Sequence, residues 1–382
     1  MHFISLQENL KKGLSIVGHI TTKNINLPIL NNILIKTREG NIELVSTNLE
    51  IGVTHQLRGK IEKEGEFTVD SKLITEYVSL LNGEEKVMVK EVGGELVVEA
   101  GDYKTKIKGE SAKEFPLIPV MAKKNYYKCP LVEFRKALNS VVFAVSTSEN
   151  RVELTGVLFS FSNKKLSLAA TDSYRLAEKE IGVKYFSEDS SDEPISNEEI
   201  KLIVPAKTTQ EFLRILNNWD GIELSDDIGV NIYISENQIL FTIDSVELIS
   251  RLISGQYPDY KQIIPTQSQT KVLVDRQELI RATKAAALFS KTGINDITLK
   301  FIKNKILISS YSGSSGESKI EISSESEGED NEITINYRYL LDGLSNIDGS
   351  RVKIGLVNPN TPCLLQSEKE DNYLYIVMPI RQ

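Results

Sequence analysis

Seven basic side chains, Lys12, Lys136, Lys207, Arg214, Arg281, Lys284 and Arg338, recur at comparable places in short amphipathic segments. At helical spacing, Leu6, Leu10, Leu14 and Val17 form an apolar stripe, with Lys12 and His19 opposite it. Phe134, Leu138, Val141 and Val145 set Lys136 on a polar side, and Leu279, Thr283 and Ala286 do the same for Arg281 and Lys284. Lys207 and Arg214 oppose Phe212 and Leu216, while Arg338 opposes Leu340. Only the stretch from Leu73 to Leu81 has no basic outer face. A single such face is the ordinary solvated side of a surface helix. Repeated along the chain and turned toward a common space, the same cations make a positive wall suited to phosphate oxygens.

Covalent chemistry has no comparable signature. His2, His19 and His55 stand in no nucleophile or metal spacing, and H-E-x-x-H, G-x-S-x-G and Gly-rich phosphate loops are all missing. YSGSSGES (311–318) lacks the lysine and following helix of a P-loop and reads as a hairpin turn. Asp172, in AATDSYRLAE, follows a strand pattern and has no acidic partner at a fixed spacing. Cys129 and Cys363 are too far apart in sequence to suggest a paired-thiol or zinc motif. The expectation is a protein without catalytic residues, metal or cofactor.

The elements that must position the cations come in three copies, at a period of about 125 residues. Each copy opens with a short strand and an amphipathic helix, at Met1 to Ile20, Tyr127 to Val145 and Lys271 to Phe289. A middle strand then leads into a second helix, at Phe67 to Leu81, Leu202 to Leu216 and Ile333 to Leu344. Each copy closes on a strand or turn with aromatics and prolines: EFPLIP (114–119), QYPDYKQIIP (256–265) and DNYLYIVMPI (371–380). Between these anchors, runs such as ELVVEAGDYKTKIKG, KLSLAATDSYRLAEKEI and KILISSYS alternate apolar and polar, the mark of half-buried antiparallel strands. The expected fold class is α+β, two helices on an antiparallel sheet in each of three tandem domains: 1–122, 123–266 and 267–382. Tyr185 to Glu199, acidic and rich in serine, reads as a mobile surface loop.

The chain has 382 residues, 40% of them hydrophobic, ample for several cores. A net charge of −8 argues against nucleic acid only if charge is spread evenly; clustered cations decide the matter. No basic-then-apolar leader opens the chain, and no apolar run approaches the ~18 residues a membrane span needs, so a cytoplasmic, membrane-free protein is expected.

AATDSYRLAE (169–178) and YIVMPIRQ (375–382) closely resemble the bacterial DNA polymerase III beta-subunit family, the β sliding clamps. So do NINLPILNNILI (24–35), LTGVLF (154–159), RLISGQYPDYKQIIP (251–265) and NYRYLLDGL (336–344), in the right order along the whole chain. The resemblance implies a DNA-clamp fold: a head-to-tail homodimer with six domains in all, forming a ring around duplex DNA with helices lining the hole. It implies a processivity factor, placed by a clamp loader, that tethers the replicative polymerase and repair proteins through short linear motifs. The groove for those motifs would be built from Leu154, Thr171, Ser173, Tyr174, Arg175, Leu176, Pro258, Gln262, Ile263, Asn336, Tyr339, Cys363, Ile376, Met378, Pro379, Ile380 and Arg381. Aliphatic walls and a flexible methionine suit varied apolar anchors. Lys104, Lys106 and Lys108 suggest a basic strand edge that could face an acidic third domain of the partner chain. The competing expectation is a three-domain protein-binding scaffold that never encircles DNA.

Overall fold

The computed structural model describes residues 1–21, 26–83, 85–162, 164–187, 199–219 and 228–380. One order of elements occurs three times. The first copy runs β1 (His2–Leu6), α1 (Gln7–Gly18), β2 (Asn32–Arg38), β3 (Asn41–Thr47), β4 (Ile51–Leu57), β5 (Lys60–Lys63), β6 (Gly65–Asp70), α2 (Ser71–Ser79), β7 (Lys86–Val92), β8 (Glu95–Ala100) and β9 (Tyr103–Glu110). The second runs β10 (Asn125–Pro130), α3 (Leu131–Val142), β11 (Gly156–Ser162), β12 (Lys165–Thr171), β13 (Arg175–Gly182), β14 (Lys184–Ser187), β15 (Ile200–Pro205), α4 (Ala206–Leu216), β16 (Gly229–Ile234), β17 (Gln238–Ile243) and β18 (Val246–Arg251). The third runs β19 (Thr270–Asp275), α5 (Arg276–Ala287), β20 (Asp296–Ile302), β21 (Lys305–Ser312), β22 (Gly316–Ser323), β23 (Glu325–Gly328), β24 (Asn331–Asn336), α6 (Tyr337–Asn346), β25 (Arg351–Leu356), β26 (Cys363–Ser367) and β27 (Tyr373–Val377).

The strand-to-helix transitions are sharp because the last residue of the strand caps the helix. Asp70 accepts the Leu73 amide at 2.7 Å, Asp275 the Glu278 amide at 2.7 Å and Asn336 the Arg338 amide at 2.9 Å. Each cap satisfies an amide that the first helical turn leaves over, and is worth about 1 kcal/mol. Under α1 lie Leu10, Leu14, Ile16 and Val17, all buried. Leu6, expected on that stripe, instead ends β1 and is 46% exposed, because the helix starts one residue later.

Two compact units result. One holds the whole first copy with β10, β14 and β16 to β18; the other holds β11 to β13, β15 and the whole third copy. In the first unit a single fourteen-stranded sheet runs β14-β10-β16-β17-β18-β4-β3-β2-β6-β9-β8-β7-β1-β5. In the second a nine-stranded sheet runs β15-β11-β12-β13-β27-β26-β25-β19-β23, beside a four-stranded β22-β21-β20-β24. One pairing therefore recurs: a third-from-helix strand meets the last strand of the next copy. β4 pairs antiparallel with β18, and β13 with β27. Among the described residues β22 pairs only with β21, and Tyr103 to Lys108 of β9 only with β8.

The three closing strings divide between the two forms expected of them, strand and turn. EFPLIP and QYPDYKQIIP are connectors that follow the last strands β9 and β18, whereas DNYLYIVMPI contains the last strand β27 itself. Prolines and aromatics mark a strand end and an irregular connector alike, so composition did not separate them. The acidic segment is not all loop. Tyr185 and Phe186 lie in β14, 5.3 Å from the Tyr127 ring and 5.1 Å from the Tyr126 ring; its residues 188–198 lie outside the described ones. The 311–318 stretch is a hairpin turn between β21 and β22, as its glycines and serines predict.

Candidate functional site

Every residue proposed for a peptide groove, Arg381 excepted, lies among the described residues of the second unit. The turn from β12 to β13 is built by Asp172. Its Oδ1 accepts the amides of Tyr174 at 2.9 Å and Arg175 at 3.0 Å, while Thr171 Oγ1 accepts the Ser173 amide at 3.1 Å and donates to the Arg175 carbonyl at 2.6 Å. Ser173 sits at φ +77°, a left-handed conformation that this web of bonds holds in place. Asp172 is thus a turn-former, which accounts for its position after a strand without any acid partner.

Arg175 is spent on structure. Its guanidinium donates to Asp172 at 2.9 Å, to Asp342 at 2.5 Å and to the Phe143 carbonyl at 2.8 Å, and lies 4.7 Å from the Tyr339 ring centre. It thereby ties β13 to α6. Asn336 caps that helix, and the Tyr339 carbonyl accepts the Tyr375 hydroxyl at 2.9 Å. Gly343 follows one turn later because a Cβ there would meet the Tyr375 ring at 2.2 Å. With the turn fixed on its inner side, the Tyr174 ring projects outward, 64% exposed.

Along β27, Tyr373, Tyr375 and Val377 face one way and Leu374, Ile376 and Met378 the other. The second set packs with Leu176, Leu158, Ala169, Ile203 and Tyr260, and Ile376 stands directly opposite Leu176. The connector after β18 is pinned over this face. The Ile253 amide donates to the Ile203 carbonyl at 2.9 Å, the Thr171 amide donates to the Tyr257 hydroxyl at 3.1 Å, and the Tyr260 hydroxyl donates to Glu178. Burial pushes the Glu178 carboxyl above its usual range and raises both tyrosines. The pinned connector carries Pro258, half-buried, and Gln262 and Ile263, both exposed, with Gln262 bonded to Asp259 at 2.9 Å. Beside it a cavity of about 370 Å³ opens over Leu158, Ile203, Tyr257 and Tyr260.

The chain end closes the other side. The Met378 amide donates to the Tyr174 carbonyl at 2.9 Å, the Ile380 amide to the Thr334 carbonyl at 2.8 Å, and Pro379 bridges Ile335. Met378, Pro379 and Ile380 are left half-exposed around the turn. Leu176, Ile376 and Met378 therefore share one apolar cluster, with Thr171, Ser173, Tyr174 and Arg175 at its rim. Leu154 and Cys363 are fully buried, and burial pushes the Cys363 thiol up to about 12, so both belong to the floor rather than the surface. Tyr257, Tyr260, Ile264 and Leu364 were missed by sequence reasoning. The aromatic spacing of QYPDYKQIIP was the one visible signal for the two tyrosines.

The helix cations divide into two groups. Lys207, Arg281 and Lys284 are exposed and form no ion pair among the described residues. Lys12 is exposed with its ammonium 4.8 Å from the Trp219 ring, and Arg338 lies 5.9 Å from the Tyr337 ring. Lys136 and Arg214 depart from the expected free face. Lys136 bonds Asp348 and, at 2.6 Å, Glu370, and those carboxylates raise its pKa. Arg214 donates to the Ser15 and Ile16 carbonyls at 3.2 and 2.7 Å, closing the C-terminal end of α1, and pairs with Glu211 at 2.7 Å. Among the described residues no cluster of His, Cys, Asp and Glu is arranged to hold a metal, and no helix is long and apolar enough to cross a membrane.

Three family models match in succession: the N-terminal, central and C-terminal domains of the DNA polymerase III beta subunit, over residues 1–119, 129–259 and 261–381. The chain is 28% identical to the beta sliding clamp of Synechococcus elongatus, over 100% of this chain and 99% of that one. It is 27% identical to the beta sliding clamp of Pseudomonas putida, over 100% of both. Its structure resembles the DNA polymerase sliding clamp of Pseudomonas aeruginosa (TM-score 0.90, 26% identity, 100% of both chains). It also resembles that of Bacillus subtilis (TM-score 0.89, 25% identity, 100% of this chain and 99% of that one).

Proposed function

This chain belongs to the DNA polymerase III beta-subunit family, and from that premise we propose which of its parts carry out the family's work. Its function is that of a DNA sliding clamp, a non-catalytic processivity factor built of three tandem clamp domains. We take those domains as 1–122, 123–266 and 267–382.

The observation that supports a closed ring is the reuse of one strand pairing. β4 takes β18 and β13 takes β27, which leaves β22 and β9 as the members of the set without such a partner among the described residues. Applied once more between chains, the rule joins β22 of one protomer to β9 of the next, and a head-to-tail homodimer closes on itself. β9 offers Lys104, Lys106 and Lys108, and β22 offers Glu317 and Glu321. Within one chain Lys104 and Lys106 rest on Glu99 and Glu95, at 2.8 and 3.5 Å.

In this reading Lys12, Lys207, Arg281, Lys284 and Arg338 face the phosphates of the encircled duplex, while Lys136 and Arg214 brace the helices that present them. Few, exchangeable and sequence-independent contacts permit sliding, since retention comes from topology. The turn at 171–175, the connector residues Pro258, Gln262 and Ile263, and the tail Met378, Pro379, Ile380 and Arg381 form the surface for short linear motifs. The replicative polymerase, the clamp loader and repair proteins then compete for it, in the cytoplasm where replication takes place.

Light scattering over a dilution series gives the first test, with twice the chain mass expected. Retention after loading onto nicked circular DNA, and release when that circle is linearised, is the second expected result. A monomer at all concentrations, or equal retention on circular and linear DNA, would overturn the ring.

A further inference from the structure

Two concavities on the outer face of the nine-stranded sheet, of about 600 and about 520 Å³, share Ser268, Lys271, Leu364 and Gln366 and so form one trough. It crosses β26, β25 and β19 and is walled by residues 264–268 on one side and β23 on the other. At one end it runs into the apolar cluster beneath the motif surface, through Ile264, Leu364 and Leu374. Its middle is polar. Lys271 and Lys353 are both exposed there, and neither forms an ion pair among the described residues. Of the two carboxylates at the far wall, Glu325 is held by Arg351 at 2.5 Å, leaving only Glu327, opposite Lys271 across the β19–β23 ladder. Two ammonium groups thus face one uncommitted carboxylate.

We propose that this trough is an extension of the motif-binding surface and takes acidic residues flanking the apolar anchors of a docked peptide. The inference rests on the motif surface described above. An extended chain leaving the cluster at Ile376 and Leu364 finds an open path of sufficient volume, lined by Gln366 and by ammonium groups from Lys271 and Lys353. A basic flank would meet two like charges there. The trough therefore selects among partners by the charge beside their anchors, while the apolar cluster accepts the anchors themselves.

The test uses the full-length protein and fluorescence anisotropy with a labelled short peptide of apolar residues, made plain or with three glutamates added at either end. At low salt one of the two extended peptides should bind about threefold to tenfold more tightly than the plain one, as expected for two solvent-exposed ion pairs. That gain should vanish at about 0.5 M salt, where charges are screened within a few ångströms. It should also vanish in the Lys271→Gln/Lys353→Gln variant, whose affinity for the plain peptide stays unchanged and shows that it is folded. Equal binding of plain and extended peptides, or a gain that survives in the variant, overturns the trough while leaving the motif surface standing. Failure of the plain peptide to bind overturns both.

Discussion

The junctions β4–β18 and β13–β27 are built alike and finished differently on both faces. On the outer face Gly52 stands opposite Ile249, where Leu176 stands opposite Ile376. The space that Gly52 leaves is filled by Ile118 of the connector after β9, whose methyls come within 3.0 and 3.1 Å of a Cβ placed there. Phe115 packs on Leu34 and Val45, and Ile118 and Met121 pack on Tyr233, Leu240 and Ile249. That connector carries Phe115-Pro116; the one in the second unit carries Tyr257-Pro258, packs Tyr260 and Ile264 on the apolar cluster and is held in addition by hydroxyl groups. One connector fills its own junction with apolar side chains. The other adds hydroxyl bonds to its apolar packing and leaves the turn and tail beside it half-exposed.

The helix-covered faces differ as well. His55 lies opposite Val246, and Lys179 opposite Tyr373, at matching places in the two ladders. Both are buried, and Lys179 donates to Glu370 at 2.8 Å and to Asn372 at 2.9 Å. Among the described residues His55 has only Ser245 as a side-chain partner, at 3.4 Å, and its pKa is pushed down to about 4 by burial, with Lys12 adding and Asp244 opposing. Lys179→Ala should be the most damaging change at either junction, costing about 3 kcal/mol because Glu370 then keeps only Lys136. A chemical denaturation midpoint gives the value, with Lys179→Met losing less; a shift worth under about 1 kcal/mol for alanine would mean the buried pair does little.

The first junction should respond to acid instead. Folded, His55 stays neutral down to about pH 4, whereas the unfolded chain takes up its proton near the ordinary 6.5. Between those values the unfolded state binds more protons, so this contribution to stability is present above pH 6.5 and drains away as pH falls toward 4, by up to about 3 kcal/mol. Across that window wild type should lose stability relative to His55→Leu as pH falls, by up to about 3 kcal/mol in the difference between their melting curves. Parallel curves would refute the assignment.

Helices, strands and the threefold order were legible because each rests on local periodicity, as at Leu10 to Val17 or Tyr373 to Met378. The turn of AATDSYRLAE was legible as a string, yet the sequence did not tell that Asp172 serves two amides and that Arg175 is consumed by Asp342 and Phe143. Cations were harder. Lys136 reads as a free surface lysine because Glu370, its partner, is 234 positions away, and Arg214 reads so because Ile16 is 198 away. A helical wheel gives the side on which a charge emerges. What waits there is set by tertiary pairing.

The outer-face contrast can be shifted by smaller changes. Gly52→Leu makes the first junction resemble the second and should cost about 2 kcal/mol by crowding Ile118. Adding Ile118→Ala should recover much of that loss, a coupling measurable in a double-mutant cycle; strictly additive losses would show that Ile118 is not what fills the gap. Tyr257→Phe makes the opposite exchange, turning Tyr257-Pro258 into the Phe-Pro of the first connector. The Thr171 amide then loses its acceptor, at a cost of about 1 kcal/mol. Because that hydroxyl holds the connector against the turn at 171–175, the same variant should also bind a motif peptide a few-fold more weakly, whereas Phe115→Ala should cost stability without touching peptide affinity. Unchanged binding in Tyr257→Phe, with the stability loss still present, would mean that Pro258, Gln262 and Ile263 are positioned by the apolar cluster alone.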